Sequence, residues 1–148
     1  MRITTRGRYA LRASLALAKL EKEGGPVSIN NLSEYENISS VFLEQIFFKL
    51  RKAGLVSSVR GPGGGFRFAR LLDEITVKQI LDAAGEDLDI SFCDKREQEC
   101  SRVGECLSHP ILLGAHELIK TYFEGITVNA ILEAAGETAP DNAPPQHP

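Results

Sequence analysis

The residues best suited to chemistry lie close together late in the chain. Cys93, Cys100 and Cys106 are separated by six and five residues, and His109 follows three positions after the last. Three thiolates and an imidazole in one short loop can close four coordination positions, and thiolates suit zinc and iron–sulfur clusters alike. Spacing alone does not choose the metal. A set of three cysteines and one histidine also describes a structural zinc site, although the tight C-x2–4-C pairs common there are missing. The plainer reading is three unrelated thiols, and their confinement to a 14-residue span argues against it. In a chain of this kind three cysteines point to metal or redox chemistry before a disulfide framework. His109 stands directly before Pro110, so it also admits a bland role ahead of a helix.

A second constellation is suited to reading DNA. Leu43, Ile46, Phe47 and Leu50 repeat at i, i+3, i+4, i+7, the buried stripe of a helix capped by Ser39 or Ser40 and ended by Gly54. The opposite face offers Ser40, Val41, Glu44, Gln45, Phe48, Arg51 and Lys52. Gln45 could pair with adenine and Glu44 could accept from the amino group of cytosine. Arg51 and Lys52 stand where phosphate contacts are useful. Glu44 is otherwise an ordinary solvated acid. Beyond this helix, Leu55 to Arg60 and Phe66 to Arg70 flank Gly61-Pro62-Gly63-Gly64-Gly65, which predicts a β-hairpin. Glycines there let the backbone approach a sugar–phosphate rail, and Arg60 beside the tip could enter a narrow minor groove. A plain hairpin turn also needs glycine, though one Gly-Gly would satisfy it.

Other elements must position these two groups. Tyr9, Ala13, Ala16, Leu17 and Leu20 predict a helix from about Arg8 to Glu23, stopped by Gly24-Gly25-Pro26. Ser28 caps a short helix to about Glu36, and Asn37-Ile38 makes the turn into the reading helix. After the hairpin, Thr76 caps a helix from Val77 to Ala84 that Gly85 closes. Residues 86–109 have no period. Pro110 opens a helix to about Glu124, along which Leu112, Ala115, Ile119, Tyr122 and Ile126 step by 3, 4, 3 and 4. Those steps make two heptads of an a/d seam suited to dimerisation, unless the stripe covers the chain's own core. Ile75 to Gly85 matches Ile126 to Gly136 at 8 of 11 positions, which suggests two short helices with the same Thr cap and Gly stop. Residues 137–148, Pro-rich and polar, predict a disordered tail.

Charge separates the halves. Residues 1–70 hold 12 Lys and Arg against 5 Asp and Glu, and residues 71–148 hold 5 against 15, giving +7, −10 and a total of −3. The asymmetry implies an anionic partner for the first half. No apolar run approaches a membrane span. The start, Met1-Arg2-Ile3-Thr4-Thr5-Arg6, lacks a signal peptide's apolar stretch, so a cytoplasmic protein is expected, with no membrane partner. No P-loop, metalloprotease helix or Ser/His/Asp grouping is present, so no enzyme is expected.

With these residues assembled, the chain resembles the iron–sulfur cluster regulator (IscR-like) branch of the Rrf family of bacterial transcription regulators. The resemblance runs from Met1 to about Gly136. It rests on Thr5-Arg6-Gly7-Arg8-Tyr9-Ala10, Leu43-Glu44-Gln45, Leu50-Arg51-Lys52, Gly54 through Gly65, and Cys106-x-x-His109. It implies a mainly α fold with a small β-hairpin wing: a winged helix-turn-helix homodimer crossed over through long C-terminal helices. It also implies a 2Fe–2S cluster on Cys93, Cys100, Cys106 and His109, and groove contacts from Glu44, Gln45, Arg60 and Pro62. The first two cysteines lie one residue further apart than in the best-known members, and Val41 replaces a polar residue. Other branches draw a ligand from the partner's N-terminal region; Arg8 and Arg12 occupy that neighbourhood here, which points back to His109.

The resulting expectation is a DNA-binding domain over 1–85 with its wing at about 55–70, a cluster loop over 86–109, and a dimerisation helix with a short terminal helix over 110–136. Contacts to double-stranded DNA, on a palindromic operator, would come from Ser40, Glu44, Gln45, Arg51, Arg60, Gly61, Pro62 and Gly63. Three alternatives stay open: a nitric oxide, iron or redox sensor on the same cysteines, a 4Fe–4S cluster, or a zinc-stabilised nucleic-acid-binding protein.

Overall fold

The computed structural model describes residues 1–90 and 100–137. Its first helix, α1 (Thr5–Gly24), begins three residues earlier than the apolar spacing predicts. The reason is a local cap: the Thr4 hydroxyl accepts from the Gly7 amide at 3.3 Å. Gly25, at φ 85°, ends it. Small residues Ala10, Ala13 and Ala16, with Leu17, form the buried face and let other helices approach closely. The second helix, α2 (Ile29–Glu36), is capped by Ser28 and stopped at Asn37, which takes the left-handed conformation at φ 53°.

Helix α3 (Ser40–Lys52) buries Leu43, Ile46, Phe47 and Leu50, the expected stripe. Ser39 precedes it, but its hydroxyl makes no capping bond, and Ser40 is already the first helical residue. The expected serine cap is therefore absent. The other end follows expectation: Gly54 at φ 75° donates to the Arg51 carbonyl and Leu55 to the Leu50 carbonyl, a Schellman closure. Because the Leu55 amide is used there, strand β1 starts one residue later than predicted. β1 (Val56–Val59) pairs antiparallel with β2 (Gly65–Phe68), Val56 opposite Phe68 and Val59 opposite Gly65. Val27 exchanges two backbone hydrogen bonds with Phe66, at 2.9 and 2.8 Å, and so ties the hairpin to the α1–α2 connection.

A short 3-10 turn (Leu72–Glu74) leads to α4 (Val77–Ala84). Its cap is reciprocal: Gln79 N–H donates to the Thr76 hydroxyl, and Thr76 N–H donates to the Gln79 side chain. α5 (His109–Glu124) has Pro110 in its first turn, and α6 (Val128–Glu137) follows. The internal echo acquires a geometric meaning here. Val77 N–H donates to Ile126 O and Val128 N–H to Ile75 O, both at 2.9 Å, so the two Thr-capped starts face each other as an antiparallel bridge. α6 follows α5 in sequence yet returns to the winged half, with Val128 fully buried in the main core. A second cluster, Val77, Leu81 and Leu88, takes Ile3, Leu11, Phe123, Ile126 and Ile131 around it. The tail from residue 138 and Cys93 lie outside the described residues.

Candidate nucleic-acid interface and metal-ligating segment

Burial of the α3 stripe turns the other face outward. Val41 and Phe48 are 63% and 57% exposed, large values for apolar side chains, and Glu44, Gln45, Arg51 and Lys52 are exposed beside them. Ser40 is half-buried at the start of the helix. The Arg51 guanidinium lies 5.9 Å from the centre of the Phe48 ring and 3.5 Å from the Ser58 hydroxyl, so it spans from α3 to the hairpin. Arg60, Gly61, Pro62 and Gly63 are exposed at the hairpin tip.

The tip's glycines answer first to backbone geometry. Gly64 N–H donates to Gly61 O at 2.9 Å, closing a turn with Pro62 second and Gly63 third at φ 72°, the arrangement of a type II turn. A Cβ on Gly64 would lie 2.2 Å from the Val59 carbonyl oxygen, and one on Gly65 2.3 Å from the Val27 backbone. One Gly-Gly would not suffice for this hairpin. Glycine content there carries less information about DNA than the sequence suggests, and Arg60 stands exposed beside the tip. Arg67, across the hairpin, sits 3.6 Å from Glu21, whose carboxylate also accepts from the Phe68 amide at 3.0 Å. That arginine braces the hairpin on α1.

Sequence reasoning missed the N-terminal arm. Arg6 shares a small cleft with Phe42, Gln45 and Lys49 of α3, and Arg2 and Thr5 line the adjoining one with Phe42. The signal was present as three exposed arginines, Arg2, Arg6 and Arg8, within eight residues of the start. Arg12 differs: it bonds the Glu36 carboxylate at 2.8 Å and its guanidinium lies 5.5 Å from the Tyr9 ring centre, fastening α2 to α1.

Of the four candidate ligands, Cys100, Cys106 and His109 are described. Cys100 is exposed, and Cys106 and His109 are half-buried. The His109 amide donates to the Cys106 carbonyl at 3.2 Å, one turn that brings the two residues together at the start of α5. The Cys106 thiol lies 3.1 Å from the Ser108 hydroxyl. That contact, with the Ser108 and His109 amides and the Arg102 charge, holds its pKa below the ordinary range against a smaller opposing effect of desolvation. Among the described residues no group of three or more His, Cys, Asp or Glu side chains is gathered as for a metal ion. The donor types fit a thiophilic metal, and the described residues bring Cys106 and His109 together at one end of α5.

The expected dimer seam is only partly outward. Tyr122 is 65% exposed, but Leu112, Ala115, Ile119 and Ile126 are half-buried, and Ile126 packs beside Val77 and Leu81 of its own chain. The open apolar face instead carries Ile111, Leu118 and Tyr122, with Leu107 just before the helix. His116, on α5, has Nδ1 3.6 Å from Asp89. Among the described residues no helix is long and apolar enough to cross a membrane.

Comparison with known proteins agrees with this geometry. The model of the Rrf2 family, "Iron-dependent Transcriptional regulator", matches residues 3–134. The "HTH-type transcriptional regulator IscR" of Aliivibrio salmonicida is 41% identical over 132 residues, covering 89% of this chain and 77% of that protein. The protein of the same name from Pectobacterium atrosepticum is 39% identical over 132 residues, covering 89% and 79%. Among solved structures, T. potens IscR superposes with a TM-score of 0.76 at 29% identity, covering 97% of this chain and 94% of that one. CymR, the global cysteine regulator of B. subtilis, gives 0.72 at 28%, covering 90% and 98%. The fold is thus a winged helix-turn-helix in which α2 and α3 are the helical pair and β1–β2 the wing, and the chain belongs to the Rrf2 family of transcriptional regulators, a family without enzymatic activity.

Proposed function

We propose that the chain is a cytoplasmic, dimeric repressor that binds a palindromic operator and senses iron–sulfur cluster status through Cys93, Cys100, Cys106 and His109. The observation that carries this reading is the Cys106–His109 turn at the head of α5, in a chain whose α3 exposes Glu44, Gln45, Arg51 and Lys52 beside a wing. A 2Fe–2S cluster bound there would supply a redox-active group sensitive to supply and oxidation. The chain's own part is separate. Ser108 and the first amides of α5 favour the Cys106 thiolate, the form that binds metal. Gln45 and Glu44 would read base edges, Arg51 would bridge reading helix and wing, and Arg60 would enter the minor groove. Two copies joined through the exposed face of α5 would place two reading helices on half-sites related by a dyad.

The test is protein purified without oxygen and assayed for iron, sulfide and visible absorption. A coloured protein with about two irons and two sulfides per chain, lost in Cys93→Ala, is expected. About four irons would indicate a 4Fe–4S cluster, and colourless protein with stoichiometric zinc would make the segment structural. In binding assays Arg60→Ala should weaken all sites, whereas Gln45→Ala should relax base preference. Identical sequence profiles for wild type and the Gln45 variant would remove Gln45 from the reading face.

A further inference from the structure

Glu86 is a buried carboxylate, 9% exposed, just past the Gly85 stop of α4. Its partners lie 82 residues earlier. One oxygen accepts from the Thr4 backbone amide at 2.8 Å, and the other accepts from the Thr4 hydroxyl. That hydroxyl in turn accepts from the Gly7 amide, so the carboxylate closes a relay over the first turn of α1. A negative charge there also complements the positive end of a 20-residue helix. Room for it depends on Gly7, where a Cβ would lie 2.5 Å from the Glu86 Cγ and Cδ atoms.

Three things meet at this joint. Lys49 of α3 donates to the Ala84 carbonyl at 3.4 Å. Arg2, Thr4, Thr5 and Arg6 line a cleft with Glu86 and Phe42. Arg6 then faces Gln45 and Lys49 across the next cleft. Holding Thr4 therefore holds two exposed arginines beside the reading helix, where an unheld N-terminal arm would spread over many positions.

We infer that Glu86 is a positioning residue for DNA binding: it clamps Thr4 and the first turn of α1 so that Arg2 and Arg6 stand beside α3 as phosphate contacts. The inference rests on the DNA-binding reading above. Glu86 itself touches no DNA. Its removal costs backbone contacts and leaves base readout alone.

The experiment measures operator affinity from 50 to 300 mM salt, about the range in which phosphate contacts dominate, for full-length wild type, Glu86→Ala, Glu86→Gln and Gly7→Ala. Each released phosphate contact lowers the slope of log affinity against log salt by about 0.9, so Glu86→Ala should lose about one to two units. Its affinity should fall by a similar factor on cognate and scrambled sites. Gly7→Ala, which displaces the carboxylate without changing it, should reproduce the loss, and the double variant should add little to it. Glu86→Gln, which keeps one acceptor, should recover most of it. Hydrogen exchange should speed at the Thr4, Gly7 and Arg8 amides, which the clamp holds, while the α3 amides stay protected, which separates this from general unfolding. An unchanged salt slope in folded Glu86→Ala would overturn the inference, as would tighter binding, which would mean the carboxylate repels DNA. Arg60→Ala in the same assay tells the two failures apart: if it weakens binding while Glu86→Ala does not, only the Glu86 inference falls. If wild type binds no operator, the DNA-binding reading falls with it.

Discussion

Helices α1 to α4 each bury at least one side chain within the chain, whereas the sixteen residues of α5 bury none. The same division runs through the termini of these helices. α1, α2 and α4 have side-chain caps, and α3 has the Schellman closure at Gly54. α5 starts from Ser108 with no side-chain cap, its Ile111, Leu118 and Tyr122 in solvent. An isolated helix of this length is marginal in water, and helices in proteins owe most of their stability to a packed face. The winged half therefore carries its own reasons to fold. On the proposed reading, α5 would take its reasons from what it meets, a second copy along the exposed face and a metal at its start.

The largest break in that comparison should come from Phe47, which is fully buried and packs 4.9 Å from the Phe66 ring, joining reading helix to wing. Phe47→Ala is expected to cost about 3–5 kcal/mol and to abolish cooperative unfolding in chemical denaturation. Removing Leu118, 74% exposed, should do the reverse: little loss of fold, large loss of assembly. Leu118→Glu is expected to raise the dimer dissociation constant about tenfold or more, equivalent to about 1.4 kcal/mol, in sedimentation experiments. A variant that stays dimeric at the wild-type concentration would move the interface off this face. A variant that unfolds would show that α5 belongs to the core after all.

The same division explains what the sequence makes legible. The stripe of Leu43, Ile46, Phe47 and Leu50, the Thr76 cap and the Gly54 stop are decided by neighbours within a turn or two, so periodicity and turn chemistry expose them. The Ser39 cap fails because a favourable residue type does not ensure that its hydroxyl points back along the helix. Hairpin glycines look like DNA chemistry in sequence because the Val27 backbone that presses on Gly65 is 38 residues away. The Glu86–Thr4 clamp and the Thr76–Thr127 bridge are non-local in the same way. The bridge is half visible in sequence, since the repeat marks both partners without showing that they meet. Ile126, one of the five expected seam residues, packs instead against Val77 and Leu81 of the chain's own α4, which a period of 3 and 4 cannot distinguish from a partner helix.

The smallest effect sharpens the comparison at the start of α5, where the helix meets the candidate metal-ligating segment. Ser108 is the principal reason the Cys106 thiol ionises more readily than usual, and that side chain is solvent-accessible enough to titrate. A lowered folded-state pKa means the thiolate is favoured by folding above the unfolded value, and that contribution is lost as pH falls through the folded one. In metal-free protein, alkylation of Cys106 followed by peptide mapping should therefore accelerate at a lower pH than in the unfolded chain. Ser108→Ala should move the alkylation midpoint back up without changing the free energy of unfolding by more than about 0.5 kcal/mol, the range of an ordinary surface change. If the midpoint moves and the loaded protein then holds its metal less tightly at low pH, Ser108 tunes a ligand. If alkylation shifts while metal retention does not, Cys106 is an acidified thiol at a helix start, and the ligand set lies elsewhere.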